Sequence, residues 1–314
     1  MTKKVYRTRN WSIYNRSLTQ RGSLTFWFSE DMVSGWMSRD STEHGNQKYP
    51  DMVILSALTL RQLFRLPLRA TQGMVQSILK LMKVEMHAPD YTTLCRRGKT
   101  VKVDLSLRSN GQRRHVLVDS TGIRVFGEGE WKTRQHGSAK RQLWRKLHIT
   151  MDESNQTVLS AKVTECERAD GNQLPELLDE IKGPISQITG DGAYDKKGCY
   201  RAAFKRGAKP VFPPQHNAIV QRNKHKKDPA LNLRDEVIEF MNSGEDPEIQ
   251  RKLWKEENGY HRRSLIESMM WRMKSIFGDE MRARSFENQR TDLMIRCHAI
   301  NRINTLGMPK SKII

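Results

Sequence analysis

Apolar positions in this chain follow two different rhythms, and the change between them divides it. From residue 50 to 83 they recur at helical spacing: Met52, Val53, Leu55, Leu58, Leu60 and Leu63, then Met74, Val75, Ile78, Leu79 and Leu81. Leu66-Pro67-Leu68-Arg69 breaks that run into two helices. A third short helix is expected over 90–97, with Asp90 after Pro89 as its N-cap. Before these, residues 1 to about 48 are basic and aromatic, with Trp11, Trp27 and Trp36, and predict one or two short helices. From about 112 to 214 the rhythm shortens. Strands are expected at 114–119, 122–126, 143–151 and 157–164, the last two joined as a hairpin through the turn-rich 152–156. A helix at 174–181, a strand at 185–189, a helix at 196–205 and a strand at 209–212 follow, so an antiparallel start gives way to parallel strands.

Beyond residue 214 the pattern turns polar again. Residues 216–228 are basic (Arg222, Lys224, Lys226, Lys227), and 231–255 are charged and helix-prone. This stretch reads as an insertion, either reaching over a ligand or forming a solvated helical pair. A helix then runs through Phe277-Gly278, and a second spans about 286–306.

Charge narrows the function. Fifty-five Lys and Arg stand against 35 Asp and Glu, a formal charge of +20. That excess points to a polyanion, either nucleic acid or an anionic membrane. No stretch approaches the ~20 apolar residues of a spanning helix, and the basic start lacks the apolar core of a signal peptide. Nucleic acid is the better choice. Cys95, Cys166, Cys199 and Cys297 lie far apart, so free thiols in a reducing compartment are expected, without a zinc site.

The candidate chemistry begins at Tyr260, Arg263, Glu267 and Lys274, read as Tyr-x2-Arg-x3-Glu-x6-Lys. On a helix these offsets share one face and surround a carboxylate with two cations and a phenol. Such a stripe is either a solvated ion-pair ladder or part of a metal site acting on phosphate. Two aspartates stand where strands are expected to end: Asp119 in Val116-Leu-Val-Asp119-Ser-Thr-Gly, and Asp191 in Thr189-Gly-Asp191-Gly-Ala-Tyr-Asp195. Each alone is ordinary turn chemistry. Together with Glu267 they make an oxygen-only donor set suited to Mg²⁺ or Mn²⁺.

With the triad Asp119, Asp191 and Glu267, the Gly-Asp-Gly-Ala-Tyr-Asp motif and the complete Tyr-Arg-Glu-Lys signature, the chain resembles the DDE transposases of bacterial insertion sequences. Within them it is most like the family of insertion sequence five, in its nine-zero-three-like branch. The opening from Trp11 to Phe28 shares the likeness, and Gln215 departs from it where relatives carry a basic residue. The resemblance implies an RNase H-like α/β catalytic core, a mixed sheet with flanking helices, made of 112–214 and 259–306. It also implies an N-terminal helical DNA-binding region over 1–105, helix-turn-helix-like at about 50–100, and a largely helical insertion at 215–258 before the last catalytic helix. Asp119, Asp191 and Glu267 would be catalytic and hold Mg²⁺, with Mn²⁺ able to substitute, as two ions. Tyr260, Arg263, Lys274, Arg96 and Arg97 would contact DNA. The partners implied are the terminal inverted repeats and target DNA, in a homodimer or larger synaptic complex with no membrane. The setting would be the bacterial cytoplasm, at the nucleoid.

Six further residues have duller readings. Trp271 and Met270, one turn beyond Glu267, are expected to bury into the sheet; Asp152 and Asp195 read as surface acids. His148 reads as a core histidine with its hydrogen bonds satisfied, and Asp170 as part of a turn.

Overall fold

The computed structural model describes residues 6–28, 49–105, 111–126, 143–221 and 228–313. Trp36, the glycine-rich stretch 127–137 and Arg222, Lys224, Lys226 and Lys227 lie outside the described residues. In chain order the elements are β1 (Tyr6–Thr8), α1 (Trp11–Arg21), α2 (Leu24–Trp27), α3 (Asp51–Leu63), α4 (Leu68–Leu81), α5 (Tyr91–Arg97), β2 (Arg114–Val125), β3 (Trp144–Asp152) and β4 (Val158–Glu165). Then come α6 (Leu174–Glu180), β5 (Ile185–Thr189), α7 (Lys197–Lys205), β6 (Lys209–Val211), α8 (Pro229–Asn242) and α9 (Pro247–Glu257). The last elements are α10 (Ser264–Phe277), β7 (Glu280–Met281), α11 (Phe286–Thr305) and β8 (Ser311–Ile313).

Two compact units result, one of residues 1–104 with 283–314, the other of 105–282. The first is helical. Pro67, extended at ψ 156°, separates α3 from α4, and Asp90 caps α5 by accepting the Thr92 N–H at 2.8 Å. α11 packs against α3 in this unit, so the segment 259–306 expected in the catalytic body divides between the two units. The reason is polar as well as apolar. Arg61 on α3 pairs with Asp292 on α11 at 2.7 Å, both buried, and Arg296 donates to Gln62 at 3.0 Å, beside the fully buried Leu293 and Ile300. A buried ion pair that loses one partner leaves an uncompensated charge, which ties the two helices firmly.

The second unit is built on a six-stranded mixed sheet in the order β4-β3-β2-β5-β6, with β7 on β2. β2, β3 and β4 are antiparallel, and β5, β6 and β7 join in parallel. That order and direction are the RNase H-like topology. One strand departs from expectation. The expected strands 114–119 and 122–126 are a single β2, because β3 pairs with it without interruption from Val116↔Asp152 to Arg124↔Trp144. The long ladder overrides the break that Ser120-Thr-Gly122 suggested. The end that matters belongs to β5: it leaves β2 at Thr189, opposite Leu117, and β7 joins only at Arg124. Among the described residues nothing pairs with that edge of β2 between them, and Asp119 lies there.

Val116 and Val118 join Leu174, Leu178, Tyr194, Tyr200, Ala203 and Phe212 in one core cluster. Alternation along the strand therefore turns Asp119 to the opposite face, where α10 packs against β2. α10 buries Ile266, Met269, Met270, Met273 and Phe277, at i, i+3, i+4, i+7 and i+11. Trp271 falls off that stripe and is 73% exposed rather than buried in the sheet.

Candidate active site

The site gathers at the open edge of β2. Asp119 Oδ1 accepts the Ser120 N–H at 2.8 Å, and its Oδ2 accepts from Arg263 at 2.8 Å. Asp191 follows the end of β5 and caps the 3-10 turn Gly192–Tyr194, accepting the Ala193 N–H at 2.9 Å. Gly190 before it has no room for a side chain: a Cβ there would lie 2.7 Å from the Tyr194 ring and 2.9 Å from Val118. That close approach seats the Asp191 turn against β2.

Glu267 arrives on the third element. Gly259, with φ 60°, turns the chain out of α9 into the 3-10 segment Tyr260–Arg263, which runs into α10. The Tyr-Arg-Glu-Lys signature thus spans two helix types rather than one continuous α-helix. Arg263 ion-pairs with Glu267 as well as with Asp119, joining two of the three carboxylates. Tyr260 packs beside Val211, Met241 and Trp254, with the Arg263 guanidinium 5.9 Å from its ring centre. Lys274 is half-buried and, among the described residues, forms no ion pair. The ladder reading holds for Arg263 and Glu267 but does not extend to Lys274.

Electrostatics link the three elements. Burial pushes the Asp119 carboxyl up to about 6, and the charges of Asp191 and Glu267 add to the rise, while the Ser120 N–H and Arg263 oppose it. The Tyr260 phenol is likewise raised, by burial first, and it feels both Asp191 and Asp119. An oxygen-only set with one desolvated carboxylate matches a hard divalent cation in donor chemistry. Among the described residues, however, no three acidic, His or Cys side chains close on one point at metal-ligand separation. The positive charge between Asp119 and Glu267 is the Arg263 guanidinium.

Behind β2 lies a polar cluster that sequence reasoning missed. Asp170, in the 3-10 turn Asp170–Asn172, pairs with Lys146 at 2.9 Å and lies 3.3 Å from Nδ1 of the fully buried His148. Burial alone would raise its carboxyl, but hydrogen bonds from His148, Lys146 and Ser120 hold it well below the usual range. Ser120 therefore faces Asp170 with its hydroxyl and Asp119 with its N–H. His148 Nε2 meets Thr164 Oγ1 at 2.9 Å, a core histidine with a partner. Nothing in the local pattern around Asp170 announces this, since its partners come from β2 and β3.

Other expected roles change. Arg97, expected to reach outward to DNA, is instead buried: it donates to the Tyr49 carbonyl at 2.9 Å and pairs with Asp51, so it holds the helical unit together. Arg96 is exposed. Asp152 is buried against Arg114 and accepts from Ser154. Asp195, with a side chain only 2% exposed, takes both arms of Arg234 on α8, at 2.6 and 2.9 Å. Neither is a surface acid. Breaking such a buried pair costs about 3–5 kcal/mol, so Arg234→Ala is expected to lower the melting temperature clearly. Melting at the wild-type temperature would mean that α8 is not anchored through this pair.

Two models described as transposase DDE domains match the chain, one over residues 19–128 and the other over 110–302. The second covers more than half the chain and contains all three carboxylates. The chain belongs to the DDE transposases. Such enzymes use divalent metal ions. Among solved structures the transposase is similar to a piggyBac transposase synaptic complex with hairpin DNA, at TM-score 0.41 and 11% identity over 96% of this chain and 76% of that one. A simian T-cell lymphotropic virus intasome with a phosphatase regulatory subunit overlaps less, at TM-score 0.25 and 15% identity over 56% of this chain and 63% of that one. Likeness at these levels speaks to neither substrate nor assembly. Among the described residues no helix of the transposase is long and apolar enough to cross a membrane, and its four cysteines are free.

Proposed function

We propose that this transposase binds the terminal inverted repeats of a bacterial insertion sequence, of the insertion-sequence-five family and its nine-zero-three-like branch. It hydrolyses a phosphodiester at each end and joins the freed 3′-hydroxyls to target DNA, with Asp119, Asp191 and Glu267 as the catalytic carboxylates. The observation that carries this reading is the Arg263 bridge. A residue of the signature draws the β2 aspartate and the α10 glutamate to one place, at the only stretch of described β2 edge that the sheet leaves open.

Mg²⁺ suits the donor set, and two ions held by shared carboxylates would activate the attacking hydroxyl and stabilise the leaving oxygen. The chain's own contribution is separable. Asp119, Asp191 and Glu267 supply fixed negative oxygens from three elements, and Ser120 and Ala193 orient two of them through backbone N–H groups. The planar fork with which Arg263 grips two carboxylates matches a phosphate equally well. Lys274 offers a second cation and Tyr260 a phenol on the same segment. Hydrolysis and strand transfer are both in-line displacements at phosphorus, so one site serves both. The helical unit, with exposed Arg96, would hold the element ends, and α8 and α9 would stand beside the cleaved end. Cutting and joining two ends in concert calls for a dimer or larger synapse, working at the nucleoid.

The test is an incubation with Mg²⁺ and labelled DNA carrying the ends of the flanking element. Joined products are expected. Cleavage without joining would make the protein a structure-selective nuclease on the same fold; binding without either would make it a regulator.

A further inference from the structure

Two segments distant in sequence pair as an antiparallel ribbon in the helical unit. β1 and β8 register Tyr6 with Ile313, Arg7 with Lys312 and Thr8 with Ser311. Arg9 N continues the ladder to the Lys310 carbonyl at 2.7 Å. Asn10 closes it, accepting the Lys310 N–H at 2.7 Å and donating to the Met308 carbonyl at 3.0 Å. The register sets Arg7 directly opposite Lys312, and Arg9, two residues on, shares the face of Arg7. Like charges opposed across a strand pair are destabilising, and a two-stranded ribbon is marginal to begin with.

These side chains border an open pocket. Arg7, Thr8, Arg9, Trp11 and Lys312 line it, at about 730 Å³, and no acid is among the described lining residues. Trp11 remains 59% exposed. Three cations with no acid beside them among the described lining residues call for an anion, and the indole calls for a flat or apolar group attached to it. A lone inorganic ion would leave most of the pocket empty, whereas a nucleic-acid backbone brings phosphates and flat bases together at the spacing of neighbouring side chains.

We propose that this pocket is a phosphodiester clamp for DNA. Arg7 and Lys312 grip one backbone phosphate from the two strands, Arg9 a neighbouring oxygen, and Trp11 takes the adjoining sugar or base. The clamp rests on the reading of the protein as a DNA transposase and adds a contact remote in sequence from the carboxylate site. Its repulsion in the free protein is relieved when the phosphate arrives.

The experiment uses the full chain and a fluorescein-labelled duplex of arbitrary sequence, with affinity measured across a salt series. Arg7→Gln/Lys312→Gln is expected to bind about tenfold more weakly at low salt and to lower the log–log salt slope by roughly one, the loss of about one phosphate contact. Trp11→Ala is expected to weaken binding about fivefold or more, a stacking-sized loss, with the slope unchanged. Without DNA, the double variant should melt at or above the wild-type temperature, because it removes only repulsion. Lys197→Gln/Lys209→Gln, an equal charge loss on exposed sites of the other unit, should leave affinity and slope near wild type.

Equal losses in that control would assign the effect to bulk charge and overturn the clamp. So would a fall in the melting temperature of DNA-free Arg7→Gln/Lys312→Gln that accompanies its loss of binding. Wild-type affinity and slope in the double variant would overturn the clamp alone and leave the transposase reading intact. A wild-type protein that binds no duplex would overturn both.

Discussion

Replacing Asp119, Asp191 or Glu267 by its amide is expected to abolish DNA cleavage while leaving end binding largely intact. Each amide keeps the shape of the side chain and removes the negative oxygen that the site needs, so the loss falls on chemistry and not on the helical unit. Asp119→Asn carries a second, opposite signature. Its carboxyl titrates at about 6 in the fold against 3.8 in the unfolded chain. A raised acid contributes stability that is fully present below about pH 4 and is lost as pH rises through about 6. At pH 7 the wild type therefore bears a cost that the asparagine does not, up to about 3 kcal/mol. The variant should be inactive yet melt higher at pH 7, with the gain gone near pH 4. Cleavage at the wild-type rate by any one amide would remove that residue from the site. Glu167→Gln, at an exposed acid away from these elements, is the matched control; Asp152 and Asp195 are unsuitable because both are buried and paired.

Arg263→Ala is expected to lose both stability and cleavage. Exposed helix-surface pairs contribute well under ~1 kcal/mol, and the Glu267 arm of Arg263 is of that kind. Its Asp119 arm is not, since the two side chains are 21% and 15% exposed. Charge-assisted hydrogen bonds of this sort contribute on the order of 1.5–3 kcal/mol. The melting temperature should therefore drop at pH 7 and drop less at pH 5, where Asp119 is mostly protonated in the fold. If the guanidinium also meets the phosphates flanking the scissile bond, cleavage measured well below the melting point should fall roughly tenfold or more. A melting loss with unaltered cleavage would leave Arg263 a brace for the carboxylates and nothing else. A double-mutant cycle with Asp119→Asn isolates the arm: the coupling should approach zero at acid pH.

Several of these distinctions were legible in the residues and several were not. The three helices α3 to α5, their break at Pro67 and the Asp90 cap follow from local periodicity and cap chemistry, which depend on neighbours a few positions away. The strands that flank the hairpin and the mixed sheet were visible for the same reason. What the local pattern could not show was continuity across Ser120-Thr-Gly122, because that depends on the long β3 ladder beside it.

Candidate chemistry divides along the same line. The residue types and spacing of Tyr260, Arg263, Glu267 and Lys274 are properties of one segment, and the net charge of +20 is a property of the whole chain. Both could be read without coordinates. Which partners meet was decided only by the fold. Arg263 reaches Asp119, 144 positions away. Asp195 is buried against Arg234, Arg97 turns inward to Tyr49, and Trp271 turns out to solvent. Asp170 finds Lys146, His148 and Ser120, and Arg7 faces Lys312 across the ribbon. A polar side chain's role depends on desolvation and on charges brought close by chain reversal. Neither is encoded in the neighbours along the chain, so sequence determined which groups this transposase carries, and tertiary structure determined which of them are free to act.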